Sequence, residues 1–187
     1  MDERFKPVVL TESEIIIVGS VCVQRYARNL TNGKREMYGA EDYRGFQYMV
    51  DGAFGEMAVA KWLGLYWNGA IGNLTTADVG NIQVRATRSN PPELILHPRD
   101  KDEDVFVLVG LERNQALIFG WCLGFEGKDE CYWEDRHGKG RPAYFIPLDA
   151  DPIREFDETW DRMVSRLTTV DAVKGASHGG TVSKPYA

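Results

Sequence analysis

Apolar residues along this chain recur with two different periods, and the change between them divides it into a helical first third and a strand-rich remainder. Thr11-Glu12-Ser13-Glu14 has the form of a helix entry, with a hydroxyl to cap and acids in the first turn. The helix is expected to run to about Asn29, with Arg25 and Arg28 near its end, where cations suit the dipole. Its apolar run Ile15–Val23 is about half of the ~20 residues a bilayer crossing needs, and predicts a buried helix. A polar loop, Thr31-Asn32-Gly33-Lys34-Arg35, carries an Asn-Gly turn signal. A second helix is predicted from about Asp42 to Trp67, with Met49, Ala53, Ala60 and Leu63 making a core-facing stripe. Glu56 lies in the middle of that stripe. A carboxylate there is costly unless something satisfies it, and the candidates are a bound cation, an Arg, or backbone amides.

Beyond Leu65–Gly69 and the lead-in Asn73–Asp78, the stretch Asp78–Arg88 alternates as a strand. Ile82, Val84 and Ala86 fall on one face, with Gln83, Arg85 and Thr87 on the other. Ser89-Asn90-Pro91-Pro92 breaks the chain. Glu93–His97 is the next strand, followed by the charged loop Asp100–Asp104. Val105–Val109 and Ala116–Cys122 form two strands joined by the hairpin-like link Glu112–Gln115. Glu126–Arg141 is irregular, Ala143–Pro147 is a last strand, and Asp157 caps a closing helix bearing Trp160, Met163, Val164 and Leu167. These elements predict a single domain over 1–167 and a flexible or docking tail over 168–187, with no internal repeat.

The composition changes this picture only by exclusion. At 43% hydrophobic and 27% charged residues, the chain is neither a disordered segment nor a membrane span. The net charge of -6 argues against a non-specific nucleic-acid coat, which needs an excess of cations, but not against an acidic site inside a locally basic groove. Such basic segments are Arg85 with Arg88, His97–Lys101, and Arg136–Arg141. Cys22, Cys122 and Cys131 form no paired framework, and reduced structural thiols are expected. The first residues lack a secretory signal, so a cytoplasmic protein is expected.

In order, the chain thus presents a helix with a buried Glu, an Asp at a turn, and a strand bearing Gln-x-Arg. In this it resembles the PD-(D/E)XK nuclease superfamily, in particular its short phage-type members, over roughly residues 12–167. The positions that match the family motif are Glu56, Asp78, Gln83 and Arg85. The resemblance implies an α/β fold with a central mixed β-sheet flanked by helices, a restriction-endonuclease-like αβββαβ-type core. It also implies a Mg²⁺- or Mn²⁺-dependent DNA endonuclease or nickase, phage-encoded and acting in the host cytoplasm. Asp78, Gln83, the Val84 carbonyl and Glu56 would be its oxygen donors, which suit a hard divalent cation. Thr87, Arg88, His97, Arg99 and Lys101 would contact nucleic acid.

Two positions depart from the family pattern. Gln83 replaces an acid, which removes one negative charge from the metal site, and Arg85 replaces a Lys, which leaves a permanent cation unable to act as a general base. The alternative function is therefore a nuclease-like fold without catalysis that binds DNA or a protein. A homodimer and a host or phage protein are the further partners compatible with this reading. Neither a phosphate-cradling Gly-rich motif nor a nucleophile elbow occurs, and Cys131 with His137 lacks the spacing of a zinc site.

Overall fold

A computed structural model of the chain describes residues 5–32, 42–71, 77–136, 138 and 140–164. The chain falls into two compact units, Met1–Glu155 and Phe156–Ala187.

The first unit begins with strand β1 (Lys6–Val9) and helix α1 (Glu12–Thr31). Thr11 sets the start of α1 with a capping box. Its hydroxyl accepts from the Glu14 N–H at 3.3 Å, while the Glu14 carboxylate accepts from the Thr11 N–H at 2.7 Å. Helix α2 (Asp42–Leu63) stops at Gly64, whose positive φ ends the helix short of Trp67. Four strands, β2 (Ile82–Thr87), β3 (Glu93–Leu96), β4 (Val105–Glu112) and β5 (Gln115–Leu123), lead to the short helix α3 (Gly124–Gly127). Strands β6 (Trp133–Glu134) and β7 (Ala143–Pro147) complete the unit.

The fold is mixed α/β, with a central mixed sheet flanked by helices. The central sheet has the order β1-β5-β4-β2, in which β2 runs parallel to β4 and the other pairs are antiparallel. Because a parallel pair needs a crossover, β3 leaves this sheet and forms a second, antiparallel one with the order β3-β7-β6. Helix α2 packs on β1, β2, β4 and β5, and α1 packs on α2. The other face of the central sheet is covered by the small sheet through Leu94, Leu96, Phe106, Leu108, Cys122 and Ile146. With both faces covered, β4 is buried from Val105 to Gly110, which is why its sequence is continuously apolar instead of alternating.

Two expectations are corrected. The Ile15–Val23 run is not buried: only Val18 and Cys22 are, while Ile16, Ile17 and Val23 are 60%, 50% and 59% exposed. Consecutive apolar residues surround a helix axis, and α2 covers one side of α1. Cys22 and Cys122 are buried as expected, but Cys131 is exposed on the 3-10 turn Glu130–Tyr132. In the second unit residues 158–164 are helical, with Phe156 edge-on to Trp160 at 4.9 Å between ring centroids. Leu167 and the tail 168–187 lie outside the described residues.

Candidate functional site

The turn that precedes β2 is built by Gly80, whose φ of 56° lets Val79 and Ile82 exchange backbone hydrogen bonds at 3.1 and 2.9 Å. That reversal lays Asp78 along the outer edge of β2, an edge strand of the central sheet. There the Val84 N–H donates to Asp78 Oδ2 at 2.8 Å. The N–H and C=O of one strand residue point to the same side, so the Val84 carbonyl also faces this edge, where it accepts from Arg85 Nη1 at 3.3 Å.

Helix α2 crosses the same strand closely. A Cβ on Gly55 would stand 3.0 Å from the Ala86 Cβ and 3.3 Å from Val84 Cγ1, so the glycine permits the approach. This puts the next residue, Glu56, beside the edge, 9% exposed. Its carboxylate accepts from Arg25 Nη1 and Nη2 at 3.1 and 3.0 Å and from Trp67 Nε1 at 2.9 Å. Arg25 is itself fixed by the Ala70 carbonyl at 2.8 Å. The burial cost of Glu56 is thus met by an Arg and an indole N–H, one of the options its position in the stripe left open.

Asp78 lies within electrostatic range of Glu56, Arg85 and Arg25. Burial, and next the Glu56 charge, push its pKa up to about 6 from 3.8, against the opposing pull of the Val84 N–H and the two guanidinium groups. A carboxylate held ionised near neutrality at such a cost marks a functional-site candidate.

Of the remaining predicted residues only Arg85 also reaches this edge, through its Nη1 contact with the Val84 carbonyl. Gln83 and Arg85 alternate onto the face of β2 that meets the small sheet. Gln83 Nε2 donates to Asp104 at 3.2 Å, and Arg85 donates from Nη2 to both oxygens of Asp100 at 3.0 Å and from Nε to the Ile95 carbonyl at 3.3 Å, with its guanidinium over Phe106. Thr87 Oγ1 accepts from the Ser89 N–H. Arg88 forms a paired contact with Asp51, Nε at 3.0 Å and Nη2 at 2.9 Å, and keeps its side chain 45% exposed. His97 is partly buried, which lowers its pKa, and its backbone N–H donates to Asp100 at 2.8 Å. Arg99 and Lys101 are exposed in the same loop.

The chain therefore brings Asp78, the Val84 carbonyl and Glu56 to one edge, with Arg85 in electrostatic range, but turns the Gln83 amide away from it. Among the described residues, no group of three or more His, Cys, Asp or Glu is arranged to hold a metal ion. Sequence reasoning missed Arg25, Trp67 and Asp51. Of these only Asp51 carried a signal, as a second acid on the mostly apolar middle of α2.

The fold and site together define a class: an α/β protein whose mixed central sheet carries a largely buried carboxylate, its pKa raised, along an edge strand. No family model, curated protein or solved structure matches the chain. No described helix is long and apolar enough to cross a membrane.

Proposed function

We propose that this chain is a nuclease-like phosphodiesterase acting on DNA, with its chemistry centred on the Asp78 edge of β2. The supporting observation is the partly buried Asp78 carboxylate, fixed by the Val84 N–H beside Glu56 and raised to a pKa of about 6. The donor set fits a hard divalent cation in part. Asp78 and the Val84 carbonyl offer oxygens on one edge, and Glu56 would join them only by exchanging Arg25. The Gln83 amide, turned to Asp104, does not fit. Bound Mg²⁺ or Mn²⁺ would supply Lewis-acid polarisation of the phosphate and a more acidic water.

The chain's own residues do the rest. Asp78 holds negative charge at the edge without needing a proton partner. Arg85, permanently charged and clamped on Asp100, contributes a fixed positive field, not proton transfer. The exposed Arg99 and Lys101 offer phosphate contacts in the loop that carries Asp100. A plasmid-nicking assay in Mn²⁺ tests the proposal. Metal-dependent cleavage that disappears in Asp78→Ala is expected; no cleavage, or cleavage indifferent to Asp78→Ala, refutes it.

One observation favours a second reading, a nuclease-like fold that binds DNA or a protein without cutting. Both Glu56 oxygens are engaged by Arg25 and Trp67. In that case Arg85→Lys in an inactive parent switches cleavage on, or DNA binding is retained while every variant remains uncleaving.

A further inference from the structure

The exposed side of α1 carries a heptad seam. Ser13, Ile16, Ser20, Val23, Ala27 and Leu30 are spaced alternately three and four residues apart, so they share one face of the helix. All six are exposed, the three large ones at 60%, 59% and 62% for Ile16, Val23 and Leu30. The opposite face, with Val18 and Cys22, is the buried one. Small and large residues alternate strictly along the seam, and each kind recurs every seventh position.

We infer that this face binds a second copy of the chain, through antiparallel packing of the two α1 helices about a twofold axis. The pattern is complementary to its own reversal: Ser13 of one copy meets Leu30 of the other, Ile16 meets Ala27, and Ser20 meets Val23. Every layer then holds one small and one large side chain, and each contact occurs twice, as an isologous interface requires. A parallel pair would instead set Ile16 on Ile16 and Ser20 on Ser20, alternating crowded layers with empty ones.

Charge is compatible with the pairing. The positions flanking the seam are Ile17, Gln24 and Thr31 on one side and Glu12, Gly19 and Tyr26 on the other. Glu12 is the single charge among them, and the antiparallel arrangement sends the two copies of it to opposite ends. Covering the seam and Ile17 in both copies removes roughly 1,000 Å² from water, the lower limit of a specific interface, so the dimer is concentration-dependent. The inference is independent of the proposed nuclease chemistry.

Sedimentation velocity over a concentration series of the full chain tests it, with circular dichroism to verify that each variant folds. The wild type is expected to pass from monomer to dimer as concentration rises. Val23→Lys is expected to stay monomeric. The swap Ser20→Val with Val23→Ser, which keeps one large and one small residue per layer, is expected to restore the dimer that Ser20→Val alone weakens. In a Cys131→Ser background, Ser20→Cys with Val23→Cys is expected to cross-link under mild oxidation, and Ser20→Cys alone is not. A monomer at every concentration, a dimer untouched by Val23→Lys, or cross-linking through Ser20→Cys alone overturns the inference.

Discussion

Asp78→Asn is expected to make the protein more stable, by an amount that depends on pH in a fixed direction. In the fold the Asp78 pKa is about 6, against 3.8 for the free side chain. Above pH 6 the carboxylate is ionised both folded and unfolded, and the folded state bears the full cost of burying it beside Glu56. The gap corresponds to about 3 kcal/mol. Water reaching the partly exposed group screens some of this, leaving roughly 1–3 kcal/mol. As pH falls through 6 toward 4, the native carboxyl takes up a proton before the unfolded one does, so the cost is progressively relieved. Asparagine can still accept from the Val84 N–H but carries no charge. Near pH 8, with a chelator present, Asp78→Asn should therefore raise the unfolding midpoint by on the order of 5 °C. Most of the gain should vanish by about pH 4. Thermal melts of the two proteins across this range decide it: a lower midpoint for the variant at pH 8, or a gain that does not change with pH, refutes the reasoning. A stabilising loss of a buried charge is the usual sign of a residue kept for function and not for stability.

Two more outcomes follow from the partners on α1 and from thiol burial. Arg25→Met leaves Glu56 buried without its cation and should cost about 3–5 kcal/mol, with much of it recovered in Arg25→Met with Glu56→Leu; urea unfolding of the single and double variants measures the coupling. Native alkylation followed by mass spectrometry should modify the exposed Cys131 alone, because Cys22 and Cys122 are buried and their pKa values are pushed up, chiefly by that burial, to about 11 and 12. Labelling of Cys22 or Cys122 without unfolding would contradict the packing of α1 on α2 or of the small sheet on the central one.

Helices α1 and α2 and strands β2 to β5 were legible because their signals are local. Thr11 and Glu14 form a capping box three residues apart, Gly80 makes a turn, and alternation through Ile82–Thr87 fixes which side chains share a face. The same alternation shows why the full set of expected ligands does not converge. Gln83 and Arg85 share the face that meets the small sheet, whereas the helix bearing Glu56 packs on the side of Val84 and Ala86. Which layer covers each face is not written in a period of two.

The sequence by itself determined that Glu56 would be buried and would need a partner, and that Asp78 would stand at a turn beside a two-faced strand. Only the tertiary structure decided that the partner is Arg25, 31 residues earlier, together with Trp67, 11 residues later. It also decided that β2 pairs in parallel with β4 past the excluded β3, and that half of the apolar run on α1 faces outward. Periodicity records how a segment presents its side chains. What covers them depends on contacts between segments far apart in the chain, whose choice rests on the summed burial and pairing of the whole fold.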